Sequence, residues 1–153
     1  MEMNKNHNYF YLKWLIKIIL SIFLIFIIIL ILMKWINPPT TTVILAEQLS
    51  FNRKVNQEWR TIDKIGKNVI LSVLAAEDSN FCNHYGVDFA EIYKAKEKGF
   101  SRGASTISQQ VSKNLFLWRN RSWFRKGLEL IITMMLETFW SKKRILEVYL
   151  NIA

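Results

Sequence analysis

Cysteine occurs once in these 153 residues, at Cys82. A lone thiol excludes an internal disulfide and a cysteine-based zinc site. Histidine occurs twice, at His7 and His84, too few for a histidine-rich metal centre. There is no glycine-rich nucleotide loop, no Ser-His-Asp order, no internal repeat and no low-complexity tract. Acidic residues are scarce: 12 stand against 21 basic ones, for a net charge of +9. Up to Asn37, four lysines (Lys5, Lys13, Lys17, Lys34) oppose Glu2 alone, so most of the excess lies further on. Such a surface suits anionic partners: nucleic acid, lipid headgroups or diphosphates.

Charge is missing altogether from residues 18–33, which are almost wholly aliphatic. With Leu15, Ile16 and the flanking Lys17 the stretch holds 19 residues, and at ~1.5 Å per residue it spans roughly 28 Å, close to a bilayer core. Trp14 and Trp35 stand at its ends, as interfacial aromatics do. Lysines precede the span, and after Lys34 no charge appears until Glu47. The positive-inside rule therefore puts the N-terminus in the cytoplasm and the remainder outside. A cleaved signal peptide is disfavoured, because the run is long and no Ala-x-Ala pattern follows it. Asn37-Pro38-Pro39 ends the helix and begins a stiff exit. The expected organisation is a cytoplasmic N-terminus (1–14), a transmembrane helix (15–35), a neck (36–62) and one domain (63–153). The length leaves room for one domain and an anchor, and 51% apolar residues argue against disorder.

Residues 43–60 read as a strand or irregular neck. Asp63 or Asn68 is placed to cap a helix carrying Val69 to Ala76. That helix ends on Glu77-Asp78. A carboxylate at the edge of an apolar core is partly desolvated, which suits it to act as a base. The segment from Asp88 to Gly103 begins helical and ends in a basic, glycine-punctuated loop around Arg102, either functional or a solvated connection. Next, Ser105 or Thr106 can cap a helix whose Ile107, Val111, Leu115 and Trp118 share one face. Gln110, Lys113 and Asn114 share its polar face, which is either solvated or shaped to bond a polyhydroxylated ligand.

From Lys113 to Lys126 five basic residues (Lys113, Arg119, Arg121, Arg125, Lys126) meet no acidic one, with Trp118, Trp123 and Phe124 interleaved. Outside a membrane, nucleic acid is a poor partner for them; a diphosphate or lipid headgroup fits better. Residues 124–140 form a helix with Leu128, Ile131, Ile132, Met135, Leu136 and Phe139 in one stripe. Glu129 lies at its edge, in reach of Arg125 and Lys126, and reads locally as a surface salt bridge of ~0.3–0.5 kcal/mol. Ser141 can cap a last helix bearing Ile145, Leu146, Val148, Tyr149 and Ile152 on one face. Asn120-Arg-Ser122 matches a glycosylation acceptor, a short pattern with a high chance rate.

Four blocks thus stand in order: Glu77-Asp78-Ser-Asn-Phe81-Cys-Asn-His84-Tyr-Gly86-Val-Asp88; Gly103-Ala-Ser105-Thr106-Ile107-Ser-Gln109-Gln110-Val-Ser-Lys113-Asn114; Arg125-Lys126-Gly-Leu-Glu129; and Lys143-Arg-Ile145-Leu146-Glu-Val-Tyr149-Leu150-Asn151. Over residues 69–153 the chain resembles the family 51 peptidoglycan glycosyltransferases, in particular the monofunctional transglycosylases of Gram-negative bacteria. The resemblance implies a mainly α, lysozyme-like glycosyltransferase domain behind a single transmembrane helix in the inner membrane, with the catalytic part periplasmic. It implies polymerisation of lipid II into β-1,4-linked glycan, with inversion and release of undecaprenyl diphosphate. Its partners would be lipid II, lipid-linked glycan and cell-wall synthesis proteins, with no nucleic acid.

By the same resemblance Glu77 is the general base and Asp78 shapes its electrostatics. Glu129 is the second catalytic carboxylate, organising the diphosphate side with or without a divalent cation (Mg or Mn); no organic cofactor is implied. Lys113, Arg121, Arg125 and Lys126 would neutralise the diphosphate, and Ser105, Gln109, Gln110 and Asn114 would hold sugar or phosphate oxygens. Phe81, His84 and Gly86 would support the loop. Family members continue beyond the fourth block, so a fragment or truncated product is expected here, with the apolar face of the last helix unpartnered. The segment between His84 and Gly103 is short for the family, so the lip of the cleft is expected to differ. The rival functions are a non-catalytic tethered remnant that binds precursor or cell-wall enzymes, and a lysozyme-like hydrolase, against which the basic cluster argues.

Overall fold

A computed structural model of the chain describes residues 3–51, 55–99 and 103–153, with side chains from residue 9 onward. Arg102, expected in a basic loop, lies outside the described residues. Among the described residues the structure is all-helical, with seven α-helices and one short 3₁₀ turn. It forms two units, residues 1–36 and 37–153.

The first unit is helix α1 (Met3–Leu32). Its 24-residue stretch Tyr9–Leu32 is long and apolar enough to cross a membrane. At ~1.5 Å per residue it is about 36 Å long. The helix starts well before residue 15 and ends at Leu32, so Lys34 and Trp35 fall in the turn that follows it.

The second unit comprises α2 (Thr42–Phe51), a 3₁₀ turn (Ile62–Lys64), α3 (Lys67–Glu77), α4 (Phe89–Glu97), α5 (Ile107–Phe116), α6 (Trp123–Phe139) and α7 (Lys142–Ile152). Helix α5 is central. Its buried Ile107, Val111 and Leu115 pack with α6 and α7, while α2 covers its other flank. Apolar burial of this kind supplies ~1.5–3 kcal/mol per large side chain.

Four expectations change. The first half of the neck is helix α2, not strand. Thr41 Oγ1 accepts from Ile44 N at 3.0 Å, and Thr42 Oγ1 donates to the carbonyls of Asn114 (3.0 Å) and Leu117 (2.7 Å) at the end of α5. These tertiary bonds override the β-leaning Val43-Ile44. Helix α3 starts after Gly66 with no side-chain cap, and Asp63 instead pairs with Lys143 at 2.9 Å. Trp118 lies beyond the end of α5 and is exposed, while Leu117 is buried in its place. On α6, Ile131 is exposed and Ile132 buried, because the inward face also carries Glu129, Thr133 and Glu137.

The face of α7 expected to be bare is covered. Ile145, Leu146, Val148, Tyr149 and Ile152 are all buried, against α5, α6 and the 3₁₀ turn. The polar residues of α7 clasp the extended segment before that turn. Asn151 Oδ1 accepts from Arg60 N at 2.7 Å and its Nδ2 donates to Arg60 O at 2.9 Å. Glu147 accepts from Ile62 N at 2.9 Å, and Arg144 lies over the rings of Trp59 and Trp140. Ser141 caps α7 as expected, accepting from Arg144 N at 3.2 Å.

Candidate active site

The site is built on the junction of α3 and α5. Helix α3 delivers Glu77 as its last residue, exposed to solvent. Asp78 follows and is buried. One of its oxygens, Oδ2, accepts from Ile107 N at 3.0 Å, on the first turn of α5. An anion there meets unpaired N–H groups and the positive end of the helix dipole. His84 Nε2 donates to the same carboxylate, 2.9 and 3.0 Å from its two oxygens. Asp78 is thus a brace between the end of α3 and the start of α5.

The loop from Phe81 to Asp88 is clamped from several sides. Phe81 is buried, with Lys142 Nζ 4.5 Å from its ring centroid. Gly86 has φ +79°, and a Cβ there would meet Thr133 Cγ2 at 2.8 Å. Its carbonyl accepts from Thr106 Oγ1 at 2.6 Å. Asp88 caps α4 by accepting from Glu91 N at 3.0 Å. That backbone bond, with help from Asn80 and His84, holds its carboxyl below the usual range. Asp78, His84 and Asp88 also form a cluster with spacing that suits a metal ion. Each carboxylate already serves as a hydrogen-bond acceptor within the fold.

Thr106 is the N-cap of α5, in a full capping box with Gln109. Gln109 Oε1 accepts from Thr106 N at 3.0 Å, and the side chain is buried. This oxygen, expected to face a ligand, is engaged in holding the helix start. One turn on, Gln110 Nε2 donates to Glu77 Oε2 at 2.9 Å.

A cavity of about 400 Å³ opens beside this junction. Among the expected residues Ser105, Gln109, Gln110, Lys113, Arg121, Arg125, Lys126 and Glu129 line it. Glu77 and Asp78 border a smaller hollow of about 80 Å³, and Ser105 belongs to the walls of both. Asn114 borders neither, and its carbonyl is taken by Thr42. Val43 of α2 and Arg119 also line the larger cavity. Arg119 was visible as part of the basic run, but Val43 carries no signal in sequence. Arg119 pairs with Glu47 of α2.

Glu129 is not on the surface. Its side chain is 3% exposed, bound by Arg125 Nη1 at 2.9 Å and by Lys126 Nζ. Lys126 also reaches Ser105 Oγ at 3.3 Å. The cavity wall therefore holds five cationic side chains and one carboxylate. Arg125 Nε is buried and has no hydrogen-bond partner among the described residues. A buried N–H without an acceptor costs about 1–3 kcal/mol.

The chain matches the family model described as "Transglycosylase" over residues 43–153. It is 56% identical over 110 residues to the biosynthetic peptidoglycan transglycosylase of Mannheimia succiniciproducens, covering 69% of this chain and 45% of that protein. To the protein of the same name from Marinomonas sp. it is 49% identical over 134 residues, covering 85% and 58%. To that of Xanthomonas axonopodis pv. citri it is 40% identical over 153 residues, covering 94% and 62%. The chain spans about half the length of the curated relatives it matches. The match takes in α2 to α7, with both the Glu77 junction and the cationic cavity inside it, and the chain belongs to the transglycosylase family.

Proposed function

We propose that this chain carries the site of a peptidoglycan glycosyltransferase, joining lipid II to a lipid-linked glycan through β-1,4 bonds with loss of undecaprenyl diphosphate. The observation that carries this reading is the cavity walled by five cationic side chains, close to the exposed Glu77 that Gln110, itself a lining residue, engages. Glu77 takes the proton from the acceptor's sugar hydroxyl. The freed oxygen attacks the donor's anomeric carbon from the face opposite the diphosphate. The carbon–oxygen bond to the diphosphate breaks and its electrons leave with the phosphate oxygen. Negative charge grows there, where Lys113, Arg121, Arg125 and Lys126 are arranged to meet it.

Glu129 acts here as a positioning residue: it orients Arg125 and Lys126 and balances part of their charge. Both its oxygens are engaged by those cations, so the residues present do not fit a divalent ion at that carboxylate. Ser105, in the walls of both hollows, is set to hold a sugar oxygen. In this proposal the domain lies outside the inner membrane, N-terminus in, at the surface where a lipid-linked substrate lies, with cell-wall synthesis proteins as further partners; the apolar helix α1 and the lysines before it support that orientation.

The test is polymerisation of labelled lipid II by the whole chain in membranes. Glu77→Gln should abolish it without changing thermal stability. Retained polymerisation by that variant sinks the base assignment. Precursor bound by the unaltered chain without turnover points instead to a non-catalytic tether.

A further inference from the structure

Glu77 ends its helix exposed, so nothing in α3 itself fixes its carboxylate. Its hydrogen bond to a neighbour comes from Gln110 of α5, and Gln110 in turn is approached by Tyr149 of α7, whose hydroxyl donates to Oε1 at 3.4 Å. The direction of this chain is set by chemistry. A carboxylate only accepts, so Gln110 must present its NH₂ to Glu77 and its carbonyl oxygen to Tyr149. A tyrosine hydroxyl on that oxygen polarises the amide and strengthens the N–H donor at the other end. It also opposes rotation of the amide by half a turn, which would set oxygen against oxygen at Glu77.

Tyr149 is well placed to keep this role. It is buried among the apolar residues of α7, 6% exposed. Burial, and then the charge of Glu77, push its hydroxyl above the usual range, so it stays protonated and a donor. Because Gln110 engages Oε2 of Glu77, Oε1 is left open to a substrate hydroxyl among the described residues.

The geometry points to Tyr149 as a positioning residue that, through Gln110, fixes the orientation of the Glu77 carboxylate. This rests on Glu77 being the base. Helix α7, expected from sequence to offer an apolar face, then contributes to the reacting centre through Gln110 of α5.

Two readouts on the whole chain in detergent or membranes test it. With lipid II, Tyr149→Phe should lower kcat about 5- to 10-fold with KM within about twofold, because orientation and not binding is lost. In a Gln110→Ala background the same substitution should do nothing further, since its route to Glu77 is gone. Equal losses in both backgrounds overturn the inference, as does a loss that tracks a fall in melting temperature. The second readout needs no turnover: the side-chain amide resonance of Gln110, assigned by its disappearance in Gln110→Ala. Tyr149→Phe and Glu77→Gln should each shift it. An unmoved resonance in Tyr149→Phe sinks the inference whatever becomes of the base assignment, whereas polymerisation by Glu77→Gln sinks the base assignment alone.

Discussion

Arg125 donates to Glu129 at 2.9 Å with both side chains at least nine-tenths buried, four residues apart on one helix. Spacing alone makes such a pair worth a few tenths of a kcal/mol on a surface. Burial changes the scale. Glu129→Gln leaves Arg125 without its counter-charge, and breaking a buried pair costs about 3–5 kcal/mol. The expected loss is near the lower end, about 3 kcal/mol, because the cavity admits solvent. Added pyrophosphate should restore part of it by binding the freed cations. Unfolding curves with and without pyrophosphate check this; a variant as stable as the parent would refute it.

Gly86 and Gly99 share a left-handed backbone, φ +79° and +64°, but differ in surroundings. A Cβ on Gly86 would meet Thr133 Cγ2 at 2.8 Å and Glu137 Cγ at 3.1 Å, while one on Gly99 meets nothing within 4 Å. Gly99→Ala should therefore cost only the backbone term, about 1–2 kcal/mol. Gly86→Ala should cost that plus overpacking of about 1–3 kcal/mol. Chemical denaturation of the two variants side by side measures the difference, and equal losses would contradict the packing at Gly86.

Asp88 gives the fold an acid-sensitive limb. Its folded carboxyl lies below the ordinary 3.8, so above that value its ionised form contributes stability. As pH falls below 3.8 the unfolded chain takes up a proton that the folded chain resists. The contribution fades and is gone once pH passes the folded value. Asp88→Asn should flatten the dependence of the urea midpoint between pH 5 and 3. An unchanged slope in that variant would argue against the depression.

Cys82, the one cysteine, is exposed in the loop that follows α3. If the domain lies outside the inner membrane, a membrane-impermeant maleimide added to spheroplasts labels Cys82 without lysis. Labelling only after lysis would reverse the orientation, and Cys82→Ser supplies the blank.

Much of the site was legible because its chemistry lies in short blocks. The four-residue step from Arg125 to Glu129 and the Ser141 cap were readable as local geometry. Depth was not. Periodicity put Glu129 at the edge of α6, but which side of α6 turns inward is decided by its packing on α5. Ser112 and Ser108 of α5 bond Thr133 and Glu137, so that side, Glu129 included, is buried and Ile131 is left outside. Gln109 looked like a ligand-binding amide, because a capping box and a sugar contact ask for the same side chain. Val43-Ile44 suggested a strand; only Thr42 bonding to the end of α5 reveals a helix that helps wall the cavity. Part of the cover over α7 comes from the irregular segment 57–61 and the 3₁₀ turn after it, which have no periodic pattern of their own.

Ser112 on α5 and Thr133 on α6 are both fully buried, with hydroxyls 2.9 Å apart. Each oxygen also lies near a carbonyl of its own helix, Ser108 O at 3.0 Å and Glu129 O at 2.6 Å. One hydroxyl donates across the interface and the other donates back. Neither residue can then drift alone: Thr133→Val leaves Ser112 without its partner across the interface, and Ser112→Ala does the same to Thr133. The two replaced together remove both polar groups at once, at little cost. The pair behaves as a single heritable character spread over two codons, one turn from Glu129, so a change at this seam between α5 and α6 is tolerated best when it comes as two.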